Sequence, residues 1–131
     1  MNEDQIWLID DDSITNFVNK IIIERNYSSA KIQEFLIASE ALKQLQNNYA
    51  IGAELPNFIF LDINMPEMNG WEFLEAYKKL DPKITDHIKL YMLTSSQNED
   101  DVKRADNCPV IRKFVNKPLK RDDVVEILRA S

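Results

Sequence analysis

The sequence predicts an α/β domain of five β-α units, in which helices cover both faces of a parallel sheet. Five short apolar runs occur along the 131 residues, and each is followed by a segment whose apolar residues recur with a helical period. Strands that alternate with helices in this way indicate parallel pairing through right-handed crossovers. We find no repeat, low-complexity tract or linker, so one domain over residues 1–131 is predicted.

The first unit is a buried strand followed by a helix. Residues 5–9 form a short apolar run, which is consistent with a strand buried on both faces. Asp12 or Ser13 can cap the next helix, because a side-chain oxygen at that position accepts from the free N–H groups of the first turn. Apolar residues at the spacing i, i+3, i+4, i+7 and i+8 predict a stripe packed on the sheet: Ile14, Phe17, Val18, Ile21 and Ile22.

The second unit has a weaker strand signal. Residues 31–36 predict a strand, and Ser39 is predicted to cap a helix whose Leu42 and Leu45 face inward. A third apolar run, residues 57–61, predicts another strand buried on both faces.

A turn and a capping signal open the third helix. Pro66 and the pair Asn69-Gly70 mark the turn, and Asn69 with Glu72 three residues later has the spacing of a capping box. The helix beyond it is lined by apolar side chains: Phe73, Leu74, Tyr77 and Leu80.

The last two units are shorter. Residues 88–93 predict a fourth strand, and a capping box that begins at Ser96 opens a polar helix to about residue 105. Residues 113–116 predict a fifth strand and residues 121–129 a last helix. The apolar side chains of that helix are predicted to face inward: Val124, Ile127 and Leu128.

Composition limits the classes of function. A net charge of −6 argues against direct, non-specific binding of nucleic acid. No apolar run approaches the roughly 18 residues of a membrane span, and the first residues lack the features of a signal peptide. Cys108 is the single cysteine, so no internal disulfide can form and a cytoplasmic location is expected.

The polar residues that follow the strands are the most informative feature of the sequence. Asp10 and Asp11 follow the first strand, Asp62 the third, Thr94 the fourth and Lys117 the fifth. The carboxyl ends of parallel strands meet at one edge of a sheet, where ligands of such sheets bind. We therefore expect three carboxylates, a hydroxyl and an ammonium to converge there.

This set of groups suits a phosphoryl group and a hard cation. Adjacent carboxylates repel one another unless a proton or a cation intervenes, and oxygen ligands without His or Cys favour Mg²⁺. A carboxylate can also act as a nucleophile and carry a phosphoryl group. Lys117 would then offer a charge, and Thr94 a hydroxyl, to the phosphoryl oxygens.

Four motifs resemble the receiver domain of two-component response regulators, of which the bacterial chemotaxis regulator is the single-domain archetype. They are LIDDD at residues 8–12, FLDINMPEMNG at 60–70, MLTS at 92–95 and FVNKPL at 114–119. Together they cover the whole chain in the family's order and spacing. The resemblance implies a flavodoxin-like (βα)5 fold with strand order 2-1-3-4-5.

The resemblance also implies a role for each residue of the acidic site. Asp62 matches the phosphoacceptor of the family. Asp10, Asp11 and Asp62 match its Mg²⁺ ligands, and Asn64 matches the position whose backbone carbonyl completes the metal site. The implied phosphodonor is a sensor histidine kinase or a histidine phosphotransfer protein, with small acyl phosphates as substitutes.

Further matches concern the phosphoryl group and the switch. Thr94 and Lys117 match the residues that bind the phosphoryl oxygens, and Pro118 matches a proline whose preceding peptide bond is cis. Thr94 and Phe114 match the switch pair. The implied response is a change of the face formed by the fourth helix, the fifth strand and the fifth helix (the α4-β5-α5 face), through which family members contact a downstream protein or form a homodimer.

Three positions depart from the commonest pattern of the family. Ser95 stands where Ala is frequent, and Phe114 stands where Tyr is frequent, so a switch here works through packing alone. Ser96 occupies a position that tunes hydrolysis and is poorly suited to orient water, so we predict a long phosphoryl lifetime.

Two alternatives remain open at this point. A degenerate receiver would act as an unphosphorylated interaction module, although the complete set of site residues argues against it. A small aspartate-nucleophile phosphatase of the haloacid dehalogenase type would use Asp10 and Asp12, but Ile14 stands where that motif has Thr or Val. No output domain follows the last helix, so we expect a stand-alone receiver that is not a turnover enzyme.

Overall fold

Five parallel strands form the centre of the molecule in the computed structural model, which describes residues 4–95 and 98–129. They are β1 (Asp4–Ile9), β2 (Ala30–Phe35), β3 (Phe58–Asp62), β4 (Lys89–Thr94) and β5 (Ile111–Asn116). Their order is β2-β1-β3-β4-β5, and every neighbouring pair is parallel. The predicted flavodoxin-like fold with strand order 2-1-3-4-5 is confirmed.

Helices connect the strands. They are α1 (Ser13–Asn26), α2 (Ala38–Ile51), α3 (Gly70–Tyr77), α4 (Glu99–Asp106) and α5, which is α-helical over Arg121–Val124 and π-helical over Val125–Arg129. A further one-turn helix, Pro82–Thr85, precedes β4 and was not anticipated from the sequence. Asp81 caps this turn and Pro82 lies in its first turn, a combination that favours helix initiation. No described helix has the length and apolar content needed to cross a membrane.

Each face of the sheet packs against its own hydrophobic core. Ile6 and Leu8 of β1 lie in the core that is shared with α1 and α5. Trp7 and Ile9 lie in the opposite core, which is shared with α2, α3 and α4. Side chains alternate between the two faces of a strand, so a strand covered on both sides is apolar throughout. This arrangement explains the continuous apolar runs.

Helix α1 packs with a face that the sequence did not predict. Ile14 is 72% exposed and Phe17 is 59% exposed, whereas Asn16, Asn19 and Ile23 are buried. The prediction that the apolar stripe packs on the sheet is therefore wrong for its first two members. The buried amides bond to backbone groups of other segments, and these bonds set the rotation of the helix.

The predicted helix caps have mixed outcomes. Asp12 accepts from the N–H of Ile14 and Thr15, and the Asn69 capping box is present, as predicted. The Ser39 cap is wrong: α2 already begins at Ala38, and the residue at its N-cap position is Ile37, which makes no side-chain capping bond. Helix α4 begins after an Asn98 cap, whereas the box predicted from Ser96 lies outside the described residues.

Candidate functional site

The carboxyl edge of the sheet brings the strand-end residues together. Asp10 follows β1 directly, Asp62 and Thr94 are the last residues of β3 and β4, and Lys117 follows β5. Asp10, Asp62 and Thr94 are almost completely buried, whereas Asp11 is exposed. The edge therefore presents two buried carboxylates beside a third that reaches solvent.

Lys117 joins the two buried carboxylates. Its Nζ donates to Oδ2 of Asp10 at 3.0 Å and to Oδ1 of Asp62 at 2.9 Å. The same ammonium thus links residues that follow β1, β3 and β5, which are far apart in the sequence. Hydrogen bonds between charged partners are stronger than neutral ones, and two of them fix the position of the ammonium.

Burial perturbs the ionisation of the site. Burial raises the pKa of Asp10 and of Asp62, and the hydrogen bonds from Lys117 offset only part of that rise. Burial alone would lower the pKa of Lys117, but its bonds to the two carboxylates and their charges outweigh burial, so that this pKa is raised. Two buried carboxylates next to each other therefore call for more positive charge than one ammonium provides.

The acidic residues fit a divalent cation. Asp10, Asp11 and Asp62 each offer a carboxylate oxygen, and these oxygens lie within 4.8 Å of one another. Oδ2 of Asp62 is buried and has no hydrogen-bond partner in the part of the chain that the structure describes. An all-oxygen donor set of this kind suits Mg²⁺, which binds few carboxylates and keeps several waters.

Asn64 lies in the loop after β3, two residues beyond Asp62. The N–H of Gly70 donates to the carbonyl of Ile63 at 2.7 Å and closes this loop at the base of α3. Within it Glu67 adopts a left-handed conformation, with φ of 66°. Asn64 itself is exposed. The role of its backbone carbonyl as a metal ligand stays a prediction.

Gly70 allows a very close approach of two backbone segments. A Cβ atom at this position would lie 2.6 Å from the carbonyl oxygen of Asp62 and 2.9 Å from Cα of Ile63. Distances this short force one of the segments to move. The sequence marked Gly70 as a turn residue, but its greater importance is that it lets α3 start directly against the backbone of Asp62.

Thr94 and Phe114 share one face of the sheet. Thr94 pairs with Asn116, and Met92 pairs with Phe114, on the neighbouring strands β4 and β5. Phe114 is partly buried and packs against the core beneath α4. Thr94 thus lies one pleat beyond the Met92–Phe114 pair and on the same side, which makes the two switch candidates diagonal neighbours.

Two hydrogen bonds hold the segment after β5. The N–H of Lys117 donates to the carbonyl of Thr94 at 2.8 Å, and the peptide bond between Lys117 and Pro118 is cis. The N–H of Leu119 donates to Oδ1 of Asn19 at 2.8 Å. The sequence did not indicate a role for Asn19, because the apolar stripe of α1 predicts that a different face of the helix is buried.

Trp71 connects the site to α4. It follows Gly70, and its Nε1 donates to Oδ1 of Asp101 at 3.1 Å. The guanidinium of Arg104 lies over its ring, 4.5 Å from the ring centre. Among the described residues of α4 only Ala105 is buried, so these two contacts with Trp71 are a substantial part of what holds this helix.

The arrangement is suited to chemistry at Asp62. One oxygen of its carboxylate is held by Lys117, and the other is buried with no hydrogen-bond partner among the described residues. A carboxylate presented in this way can act as a nucleophile toward an electron-poor centre whose negative oxygens are balanced by the ammonium and a cation.

Comparisons with known proteins agree with the geometry. A family model described as the response regulator receiver domain matches residues 6–129. The chain is 27% identical over 119 residues to the probable methanogenesis regulatory protein FilR2 of Methanothrix harundinacea, covering 91% of this chain and 75% of that protein. It is 39% identical over 66 residues to response regulator Rcp1 of Synechocystis, covering 50% of this chain and 43% of that protein.

Solved structures show the same fold over almost the whole chain. A two-component response regulator from Cytophaga hutchinsonii has a TM-score of 0.89 and 30% identity, covering 99% of this chain and 97% of that one. The Mn²⁺-bound form of Rcp1 has a TM-score of 0.74 and 23% identity, covering 97% and 90%, and shows the fold. The motifs, the strand order and the family match lead to one conclusion: this chain belongs to the response regulator receiver domain family.

Proposed function

We propose that this receiver domain is a phosphorylation switch, in which Asp62 accepts a phosphoryl group from a sensor histidine kinase or a histidine phosphotransfer protein. One observation supports this role above the others. Asp62 has one oxygen fixed by Lys117, while its buried Oδ2 has no hydrogen-bond partner in the described part of the chain. The carboxylate is therefore held in place, and one of its oxygens has no protein donor competing for it.

The transfer exchanges one bond to phosphorus for another. A carboxylate oxygen of Asp62 forms the new O–P bond while the N–P bond of the phosphohistidine breaks, and the leaving imidazole nitrogen keeps the electron pair and takes up a proton from solvent. A small acyl phosphate reacts in the same way with loss of its carboxylate. Because the nucleophile is already positioned, the chain contributes mainly orientation and charge stabilisation.

Asp10, Asp11 and Asp62, with the backbone carbonyl of Asn64, would hold the Mg²⁺ ion. The ion would supply positive charge for the acidic cluster and for the phosphoryl oxygens. The Mn²⁺-bound form of the relative Rcp1 supports a divalent cation in this family. The all-oxygen cluster of this chain, with carboxylate oxygens within 4.8 Å of one another, supports it independently.

Lys117 and Thr94 would bind the phosphoryl oxygens, and the switch would follow from their movement. Lys117 has to exchange part of its bonding to Asp10 and Asp62 for a phosphoryl oxygen. If Thr94 turns toward the same group, the space next to Phe114 changes on the face that carries α4. The proposed output is a new balance between two states of the α4-β5-α5 face, which binds a downstream protein or a second copy of the chain.

The surface beside Lys117 suits a protein phosphodonor. Lys117 lines a depression of about 240 Å³, whose lining is largely apolar and includes Ile14, Val18 and Pro118. We propose that the donor covers Ile14 here. We also propose that the switch acts in the cytoplasm, as a signalling protein rather than a turnover enzyme. Replacement of Ile14 by Ser should slow transfer from a phosphotransfer protein and leave acetyl phosphate as effective as before.

Intact-mass measurement after incubation with acetyl phosphate and Mg²⁺ tests the main proposal. We expect the wild-type chain to gain one phosphoryl group that hydroxylamine removes, and Asp62→Asn to gain none. Asp12→Asn is the matched control. Asp12 follows Asp10 and Asp11 in one acidic run, but it is an exposed helix cap that Asn can replace. An unmodified wild-type mass would support an unphosphorylated interaction module. Phosphatase turnover that survives Asp62→Asn but not Asp10→Asn would support the aspartate-nucleophile enzyme.

A further inference from the structure

Two amides occupy the core-facing side of α1 beneath the site. Asn16 is 1% exposed and Asn19 is 0% exposed, and Ile23 follows on the same buried face. An amide in a protein core destabilises the fold unless its polar atoms are hydrogen-bonded. These two residues therefore call for an account of every polar atom that they carry.

The orientation of Asn16 is fixed by two backbone carbonyls. Its Nδ2 donates to the carbonyl of Asp10 at 3.0 Å and lies 3.4 Å from that of Phe35. Turning the amide over would set its own oxygen against both carbonyls. Oδ1 of Asn16 is thereby directed away from them, and it is buried without a hydrogen-bond partner among residues 4–95 and 98–129.

The orientation of Asn19 is fixed by the opposite kind of partner. Its Oδ1 accepts from the N–H of Leu119, two residues after Lys117. Turning this amide over would set its NH₂ group against that N–H. Nδ2 of Asn19 is the atom left over, and it too is buried with no partner within the described chain.

The two unused atoms are complementary. One is an acceptor and the other a donor, on residues three apart along one helix face, where side chains are neighbours. Buried polar groups are almost always satisfied, and a buried water with two or more polar partners commonly closes such a gap. Because backbone partners hold both amides, neither can turn to meet the other directly, so a bridging water fits better than a direct bond.

We infer that Asn16 and Asn19 are positioning residues, joined through one buried water into a relay from the carbonyl of Asp10 to the N–H of Leu119. The relay holds the end of β1 and the segment after β5 in register from beneath. These are the two segments whose side chains, Asp10 and Lys117, meet at 3.0 Å in the site. The kinetic part of this inference rests on the proposed function, because it concerns phosphoryl transfer to Asp62.

The expected consequence is a change in rate without a change in the reacting groups. A displacement of about 1 Å near a reacting centre can cost about 100-fold in rate, so a smaller slip of Lys117 against Asp10 should cost about tenfold. Asn16→Leu and Asn19→Leu keep the number and branching of the side-chain heavy atoms and remove the amides. Each should lower the rate constant of phosphorylation by acetyl phosphate about tenfold, and the double variant should lose little more than either single variant.

Ile23→Ala is the matched control for a purely structural effect. It lies on the same buried face of α1 but touches neither segment through a polar bond, so it should lower stability and leave the rate constant unchanged. If the Asn variants are folded and phosphorylated at the wild-type rate, the positioning role is overturned. The positioning role is also overturned if Ile23→Ala slows phosphorylation as much as the Asn variants do.

Equilibrium unfolding in urea supplies a readout that needs no phosphorylation. If the relay exists, the double variant should change the unfolding equilibrium constant at least tenfold less than the product of the two single changes, because each single variant leaves the other amide unpaired. Changes that multiply independently would overturn the relay. A wild-type chain that takes up no phosphoryl group would overturn the proposed function and the kinetic role with it, and the unfolding cycle would still decide whether the relay exists.

Discussion

Gly70→Ala is the sharpest test of how the backbone positions Asp62, the proposed phosphoacceptor. The added Cβ would lie 2.6 Å from the carbonyl oxygen of Asp62, whereas ordinary contact begins at 3.4 Å, so the segments must separate by about 0.8 Å (3.4 − 2.6). Both nearest atoms belong to the backbone of β3 and its loop, so no flexible side chain can absorb the movement. Overpacking of this kind costs about 1–3 kcal/mol of stability.

The same displacement should impair the chemistry. The carboxylate of Asp62 moves with its backbone, and a misplacement approaching 1 Å costs roughly 100-fold in rate. We expect Gly70→Ala to lower the rate constant of phosphorylation by acetyl phosphate by about this factor, as followed by intact mass over time. The expected loss of stability is measured separately by urea unfolding.

Gly52→Ala separates the two effects. Gly52 has φ of 71°, so alanine there is strained by about 1–2 kcal/mol, but no atom lies within 4 Å of the added Cβ and the position is remote from the site. This control should lose comparable stability and keep the wild-type rate. If Gly70→Ala is phosphorylated as quickly as Gly52→Ala, the close approach to Asp62 does not position the nucleophile and the reasoning fails.

Three further predictions follow from individual contacts. Lys117→Met removes the counter-charge of two buried carboxylates and should cost about 3–5 kcal/mol in urea unfolding without Mg²⁺. Millimolar Mg²⁺ should stabilise this variant more than the wild type, and equal stabilisation would argue against a shared acidic cluster. The hydrogen bond to Asp4 raises the pKa of Tyr27 to about 12, so its contribution to stability is complete below about pH 10, the usual tyrosine value, and is lost as the pH rises toward 12. The stability difference between wild type and Tyr27→Phe should therefore shrink over that interval, and a constant difference would contradict the assignment. Trp71→Phe removes the bond to Asp101 and should speed amide exchange in α4 while costing only about 1 kcal/mol overall, whereas unchanged exchange would show that other contacts hold this helix.

The sheet and its acidic edge could be predicted because they depend on local patterns. Residues 58–61, for example, are apolar on both faces, as a parallel strand that is covered on both sides requires. Once the strands are parallel, their carboxyl ends must share an edge, and the polar residues that follow them must meet there. The residues do meet there: Nζ of Lys117 lies 3.0 Å from a carboxylate oxygen of Asp10 and 2.9 Å from one of Asp62.

The packing of α1 could not be predicted from its own sequence. Ile14 and Phe17 continue an apolar stripe, and the helical period gives no reason to turn them outward. The rotation of the helix follows from hydrogen bonds that the side-chain amides of Asn16 and Asn19 make to backbone groups elsewhere in the chain. One of these groups belongs to Leu119, which is 100 residues from Asn19. Hydrogen bonds between such distant segments leave no periodic signal, so they appear only when the fold is known.

The close approach of Gly70 to the backbone of Asp62 could not be predicted from the sequence for a related reason. A glycine after Asn reads as a turn signal, and Gly70 is indeed the first residue of α3. Its contact with the carbonyl of Asp62, however, depends on how β3 and α3 cross in three dimensions. The bond from Trp71 to Asp101, 30 residues away, depends likewise on how α3 and α4 lie beside each other.

Ionised carboxylates in the acidic site lower the stability of the fold, although the proposed switch depends on them. Since burial raises the pKa of Asp10 and Asp62, each carboxyl stabilises the fold while it is protonated, and that contribution is lost as the pH rises from its unfolded pKa through the raised folded value. Above that pH range the ionised pair therefore contributes less stability to the edge of the sheet from which the connections to α1, α3 and α4 leave. A ligand that binds only the folded site restores this stability in proportion to its affinity and concentration. Charge added at this edge should thus change the relative stability of conformations in the connecting loops, and Trp71 and Phe114, which pack toward α4, are placed to pass that change to the surface.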